Sequence, residues 1–289
     1  MILANEPVSD SPTLAEVIQQ AIQNIQIKTG NPRLEAEVLL CAVLGKTRTY
    51  LRAYPEYRLS EPLLGDFQAL IAQRAAGQPV AYLLGTREFW SRPFTVSHDT
   101  LIPRPETELL VERTLSLLPE GSPRRILELG TGSGIIAITL QLERPENAVT
   151  AVELSEAALA IARKNAENLE ASTVTFLSGS WYEPIEGDLR FDLIVSNPPY
   201  IAENDPHLVQ GDLPHEPQIA LRSGHEGLDA LRHIIQKAPD FLNPGGSVLV
   251  EHGYQQAADV ADLMTAAGFQ TIAHFKDLQG HLRVTTATL

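Results

Sequence analysis

A chain of 289 residues with 44% apolar content can build a packed core in one large or two modest domains, and nothing in it suggests global disorder. Its net charge of −14 argues against strong nonspecific binding to nucleic acid, which usually calls for a basic surface. The single cysteine, Cys41, excludes an intrachain disulfide and is compatible with a reducing cytosol.

Met1 to Pro7 lack a basic segment followed by an apolar run, so no secretory signal is expected there. No apolar stretch is long enough to span a bilayer. Ser11-Pro12 reads as a helix cap with proline at the first helical position, followed by apolar residues at helical spacing from Leu14 to Ile25. Asn31-Pro32 opens a second helix that Gly45 can end, and Ser60 to Gly77 reads as another. Residues 1–77 are thus expected to form a small helical domain, serving either packing or partner recognition. Gly45-Lys46-Thr47 resembles the end of a phosphate-binding loop, but Leu40 stands where the first glycine is needed and no strand precedes it.

Residues 78–104 read as a linker with a short hairpin, Arg87 to Trp90 against Pro93 to Val96. Arg104, held between Pro103 and Pro105, is either a rigidly displayed functional side chain or part of a helix start. From residue 105 to 289 an α/β domain is expected. Strands near Ile126–Leu129, Val149–Glu153, Val174–Leu177, Phe191–Val195 and Ser247–Glu251 alternate with helices, which predicts a parallel sheet. Thr271–Phe275 and His281–Ala287 add two strands, the last returning antiparallel through Gln279-Gly280.

The strand from Phe191 ends in Asn197-Pro198-Pro199-Tyr200. Two prolines stop the ladder and stiffen the loop at the carboxyl end of a strand, where open α/β sheets bind ligands. The Asn197 side-chain oxygen and the Pro198 carbonyl can accept both hydrogens of a planar –NH2 group, of an amide or a nucleobase. Tyr200 can stack on the group that carries it. Such a grip aims the nitrogen lone pair at an electrophile.

The first strand of the sheet leads into Gly130-Thr131-Gly132-Ser133-Gly134 and an apolar helix. A dinucleotide fingerprint would want its third glycine where Ile135 stands, so the spacing tilts the reading from NAD to S-adenosylmethionine. Glu153 ends the second strand and can accept from both ribose hydroxyls, or else it caps the next helix. Trp181, after the third strand, can pack on adenine or serve as an ordinary core tryptophan. No metal-ligand spacing and no Ser/His/Asp or Cys/His nucleophile stands out.

With these residues the chain resembles the class I S-adenosylmethionine methyltransferases, and more narrowly the release factor glutamine methyltransferases (PrmC/HemK family). The resemblance also rests on Pro79 to Gly85 with Glu88-Phe89, on Ile102-Pro103-Arg104-Pro105-Glu106-Thr107-Glu108, on Glu216-Pro217 with Ala220-Leu221, and on Lys276-Asp277-Leu278 with Gly280 and Arg283. It implies a Rossmann-like sheet, mostly parallel, of seven strands with the last antiparallel, beside a small N-terminal helical domain. It implies transfer of a methyl group from S-adenosylmethionine to the glutamine amide nitrogen of the Gly-Gly-Gln loop of peptide chain release factors, in the cytoplasm, without direct nucleic-acid or membrane partners. Gly130 to Gly134, Glu153, Trp181 and Asn197 would contact the cofactor. Asn197 to Tyr200 would hold the glutamine, with Arg104 nearby. Glu128 and Glu153 stand where the family usually has aspartate, which keeps the carboxylate and lengthens its reach by one methylene. The rival acceptors are a ribosomal-protein glutamine and, further off, a DNA adenine, which would have to be drawn out of its stack. A non-catalytic cofactor-binding module is the rival of another class.

Overall fold

In a computed structural model of the chain, residues 11–26 and 30–289 are described, so the reading of Met1 to Pro7 lies outside the described residues. The chain forms two compact units: Met1–Gly85 with Val209–His215, and Thr86–Leu208 with Glu216–Leu289.

The first unit is helical: α1 (Leu14–Ile25), α2 (Pro32–Leu44), α3 (Arg48–Ala53), α4 (Glu61–Ala75) and α5 (Val80–Leu84). The expected Ser11-Pro12 cap is corrected. Thr13 is the N-cap, and it forms a capping box in which Glu16 N–H donates to Thr13 Oγ1 at 3.3 Å and Thr13 N–H to Glu16 Oε2 at 2.8 Å. Two otherwise orphaned N–H groups are satisfied reciprocally, which a Ser11 start would forgo. Asn31 caps α2 as expected, with Pro32 in its first turn, and Gly45 ends it at φ 61°. Thr47 caps α3, so Gly45-Lys46-Thr47 is a turn between helices. Leu14, Ile25, Leu39, Leu40, Leu59 and Phe67 are buried together. Val80, Leu83 and Leu84 of α5 pack on that core, although their stretch reads as linker in the sequence. Arg74, almost fully buried, is held by Glu35 at 2.7 Å and by Asp212 at 3.0 Å. Asp212 therefore anchors the 209–215 segment to this unit.

The second unit opens with the hairpin β1 (Thr86–Phe89) and β2 (Arg92–Thr95), paired Thr86 to Thr95. There follow α6 (Thr107–Ser116), β3 (Arg125–Leu129), α7 (Ile135–Glu143), β4 (Ala148–Glu153), α8 (Glu156–Asn168), β5 (Thr175–Ser178) and β6 (Phe191–Ser196). The chain ends with α9 (Asp229–Phe241), β7 (Leu242–Glu251), α10 (Ala257–Ala266), β8 (Ala273–Lys276) and β9 (Leu282–Thr288). The seven-stranded sheet has the order β5-β4-β3-β6-β7-β9-β8. β9 runs antiparallel to both its neighbours, and the pairs from β5 to β7 are parallel. β7 begins at Leu242, ahead of the expected Ser247, because Leu242 pairs with Phe191 before a register shift.

The strands are apolar on both faces, as parallel strands covered on both sides must be. Ile126, Val149, Ala151, Leu193, Val195 and Leu249 point into one cluster with residues of α6, α7 and the hairpin. Their alternates Leu127, Val152, Ile194, Val248 and Val250 point into the other with α9 and α10. Strand order reverses at the β3–β6 border, which opens a crevice beyond the carboxyl ends of those two strands.

Candidate active site

Register sets the layout of the site. Leu129 pairs with Val152 on one side and Ser196 on the other, Glu153 pairs with Ser178, and Ser196 pairs with Val250. The residues that follow the Leu129 level therefore form a row along one sheet edge: Ser178, Glu153, Gly130, Asn197 and Glu251.

Gly130, Thr131, Gly132 and Ser133 line one crevice with Glu153 and Trp181. Asn197, Pro199 and Arg104 line the same crevice. Gly134, Pro198 and Tyr200 do not line it. Gly134 is required for packing: at φ 85°, a Cβ there would sit 2.8 Å from Ile138 Cδ1 and 3.2 Å from Ala162 Cβ. It lets α7 approach α8. Tyr200 is tied down from behind, its hydroxyl donating to Glu251 Oε1 at 3.3 Å. Burial and the Glu251 carboxylate raise the phenol well above its ordinary range.

Glu153 accepts from Gly132 N–H at 2.8 Å and from Ser155 N–H at 2.9 Å, one bond to each carboxylate oxygen. Each oxygen keeps a lone pair for a further donor, so the carboxylate can shape the glycine loop and still hold a diol. Glu128, a residue the sequence reading left outside the site, lies at the floor of the crevice and is 1% exposed. Its Oε2 accepts from Thr131 Oγ1 at 2.6 Å and Ala137 N–H at 2.9 Å, while Oε1 has no partner. Burial raises its pKa to about 7 against those two hydrogen bonds, and the Glu153 charge adds to the rise. A buried, unpartnered carboxylate oxygen in a crevice suits a cationic ligand group. Trp181 adopts φ 49°, a left-handed conformation costing about 1–3 kcal/mol, and its ring passes close to Gly130.

Asn197 Nδ2 donates to Thr107 Oγ1 at 3.0 Å. With Nδ2 committed to Thr107, the Oδ1 acceptor of this crevice-lining residue has no partner among the described residues. Thr107 is 1% exposed and starts α6, its N–H donating to the Arg104 carbonyl at 3.1 Å. Arg104 itself pairs with Glu216, whose side chain is fully buried and also accepts from Ile102 N–H at 3.0 Å. Gln256 Nε2 donates to the Tyr200 carbonyl at 3.1 Å and to the Gly227 carbonyl at 3.2 Å. A Cβ on Gly227 would meet the Tyr200 carbonyl oxygen at 2.3 Å, so only glycine fits beneath this loop. Thr107, Glu216, Glu251 and Gln256 are absent from the sequence-based site. The one signal available was an acidic residue closing successive apolar strands: Glu153, Glu251 and, one position from the end, Glu128. Among the described residues no cluster of His, Cys, Asp or Glu could hold a metal ion, and no helix is long and apolar enough to cross a membrane.

Residues 16–85 match the model of the PrmC N-terminal domain, and residues 105–273 match the methyltransferase small domain. The chain is similar to a release factor glutamine methyltransferase of Vibrio cholerae, 46% identical over 95% of this chain and 96% of the relative. A protein of the same description from Yersinia pestis is 49% identical over 88% of this chain and 91% of its own. Among solved structures, a methyltransferase from Pyrococcus furiosus superposes with a TM-score of 0.52 at 21% identity, covering 76% of this chain and 96% of that one. At that identity the likeness concerns the fold.

Proposed function

Because the chain belongs to the release factor glutamine methyltransferase family, we propose that it transfers a methyl group from S-adenosylmethionine to the glutamine amide nitrogen in the Gly-Gly-Gln loop of peptide chain release factors, in the cytoplasm. The observation that carries this reading is the crevice-lining Asn197, whose Nδ2 is committed to Thr107 and whose Oδ1 acceptor has no partner among the described residues.

The residues fit the cofactor on three counts. The unpartnered Glu128 Oε1 suits its ammonium group, the Glu153 carboxylate suits the ribose hydroxyls, and the glycines of the loop, which lines the crevice ahead of α7, let backbone approach a ligand closely. Trp181 offers its half-buried ring to the adenine. When bound, the cofactor supplies an electrophilic methyl carbon on a sulfonium.

Asn197 Oδ1 and the Pro198 carbonyl accept the two amide hydrogens of the glutamine. Neither atom is engaged by a described residue, whereas the rest of the loop is fastened by Thr107, Glu251 and Gln256. The grip favours a nitrogen that gives up planarity and presents its lone pair. An amide N–H is too weak an acid to ionise first, so the nitrogen sheds a proton after it has gained the methyl carbon. No general base is required for the bond-forming step. Catalysis is mainly positioning and electrostatic alignment.

The test is methyl transfer from labelled S-adenosylmethionine to a purified release factor, beside a copy whose Gly-Gly-Gln glutamine is changed to alanine. Label on the first and none on the second is the expected result. Equal labelling of both, or of neither with cofactor binding intact, overturns the reading and directs attention to a ribosomal-protein glutamine.

A further inference from the structure

We propose, on the reading of this chain as a release factor glutamine methyltransferase, that the tip of the β8–β9 hairpin, with Leu278 at its apex and Tyr254 at its foot, is a docking surface for the release factor itself. The crevice takes one glutamine side chain, but the acceptor that carries it is a folded protein. Seating that side chain against Asn197 brings the acceptor down on the sheet edge around it. A standard interface covers about 800 Å² on each partner, a patch of roughly 16 Å radius.

Strand register places the hairpin within that reach. β9 runs antiparallel to β7 with Val284 opposite Glu251, so the turn before β9 projects from the edge that carries Asn197 and Glu251. β8 is three strands from β6, about 14 Å at the usual spacing. Lys276 pairs with Leu282, two residues short of Val284, and Leu278 lies two residues further out. The tip therefore extends up to about 13 Å beyond the edge.

A protruding turn is ordinarily polar and loosely held, and this one is neither. The Asp277 side chain, almost fully buried, accepts on one oxygen from Gln279 N–H and His281 N–H, both at 2.9 Å, and on the other from Arg283 Nε at 3.1 Å. Gly280, at φ 86°, donates its N–H to the Asp277 carbonyl at 3.0 Å. Leu278 is fully exposed on this braced turn. Tyr254, three residues past Glu251 and 48% exposed, stands between the tip and the crevice. Its ring lies 5.3 Å from that of His281, and the Arg283 guanidinium lies 5.5 Å from its centroid. Arg283 thus ties Tyr254 to Asp277. A turn and a ring already ordered lose little freedom on docking, and tyrosine is enriched among the residues that dominate binding. The partner chemistry that fits is an apolar depression on the acceptor beside its glutamine loop.

The experiment titrates a purified release factor, its Gly-Gly-Gln glutamine changed to alanine so that no turnover intervenes, into wild type, Leu278→Asp, Tyr254→Ala and Leu117→Asp. Leu117 is also exposed, but it follows α6, which runs from beside Asn197 towards the opposite edge, where β3 begins. It serves as the control. Leu278→Asp and Tyr254→Ala are expected to raise the Kd about 10-fold or more, and Leu117→Asp to leave it unchanged. With the intact release factor, Leu278→Asp should raise KM by a similar factor, while kcat at saturating acceptor and cofactor affinity change less than about twofold. An unchanged Kd in Leu278→Asp, or an equal loss in Leu117→Asp, overturns the inference. So does a wild-type dimer that Leu278→Asp dissolves with the release-factor Kd unchanged, since a second copy would then cover the tip. Binding that depends on Leu278 without any methylation of the intact factor sinks the proposed function alone. Methylation with binding indifferent to Leu278 sinks this inference alone, and neither binding nor methylation sinks both.

Discussion

Ser196 Oγ donates to the Leu129 carbonyl at 2.7 Å, and each residue is the last of its strand. One hydrogen bond thus joins the glycine loop to the Asn-Pro-Pro-Tyr loop at the point where strand order reverses. Ser196→Ala removes the donor and leaves the buried edge looser. Both cofactor affinity and turnover should fall a few-fold, matching the ~1 kcal/mol of a typical buried hydrogen bond. Titration calorimetry and steady-state kinetics on the same preparation check this.

Asn197→Ala deletes an acceptor that acts on the glutamine. Turnover should drop on the order of 100-fold or more while the cofactor dissociation constant moves little. Near-wild-type methyl transfer in this variant would show that the amide is not held as described.

Glu153→Ala should have the opposite signature. Its two backbone bonds to Gly132 and Ser155 shape the glycine loop, and its free lone pairs face the crevice. Cofactor affinity should weaken about 10- to 100-fold, with a smaller change in turnover at saturating cofactor. Isothermal titration separates the two.

Gly134→Ala introduces a Cβ at φ 85° and 2.8 Å from Ile138. Strain and overpacking together should lower stability by about 2–4 kcal/mol. Denaturant unfolding measures the loss directly, and an unchanged midpoint would mean that α7 and α8 can separate without penalty.

Glu128 supplies a pH signature. Burial raises its folded pKa to about 7 from an ordinary 4.5, so between those values the folded chain holds a proton that the unfolded chain has released. Its contribution to stability is complete below about pH 4.5 and is lost as pH rises towards 7, at roughly 1.4 kcal/mol per pH unit. Glu128→Gln keeps an acceptor for Thr131 and Ala137 and removes the titration. Unfolding free energies measured at pH 5, 6 and 7 should fall less steeply in the variant. Parallel slopes would place the Glu128 proton elsewhere.

Much of this protein was written in local sequence. Apolar runs of strand length, separated by helical periods, determined the seven-stranded sheet and its mostly parallel sense, because only buried strands can be apolar on both faces. The prolines after Asn197 and the glycines after Leu129 marked the two loops, since backbone restriction is a property of the residue itself. Tertiary structure decided the partners. Glu251 stands next to Asn197 only because β7 lies against β6 with Ser196 opposite Val250, a register no local pattern specifies. Thr107 meets Asn197 across 90 residues of chain, and its hydroxyl looks like any other helix-start threonine until the two elements are packed. Hydrogen-bond direction depends on which atoms are within 3 Å and on how many hydrogens they share, and that is settled by packing.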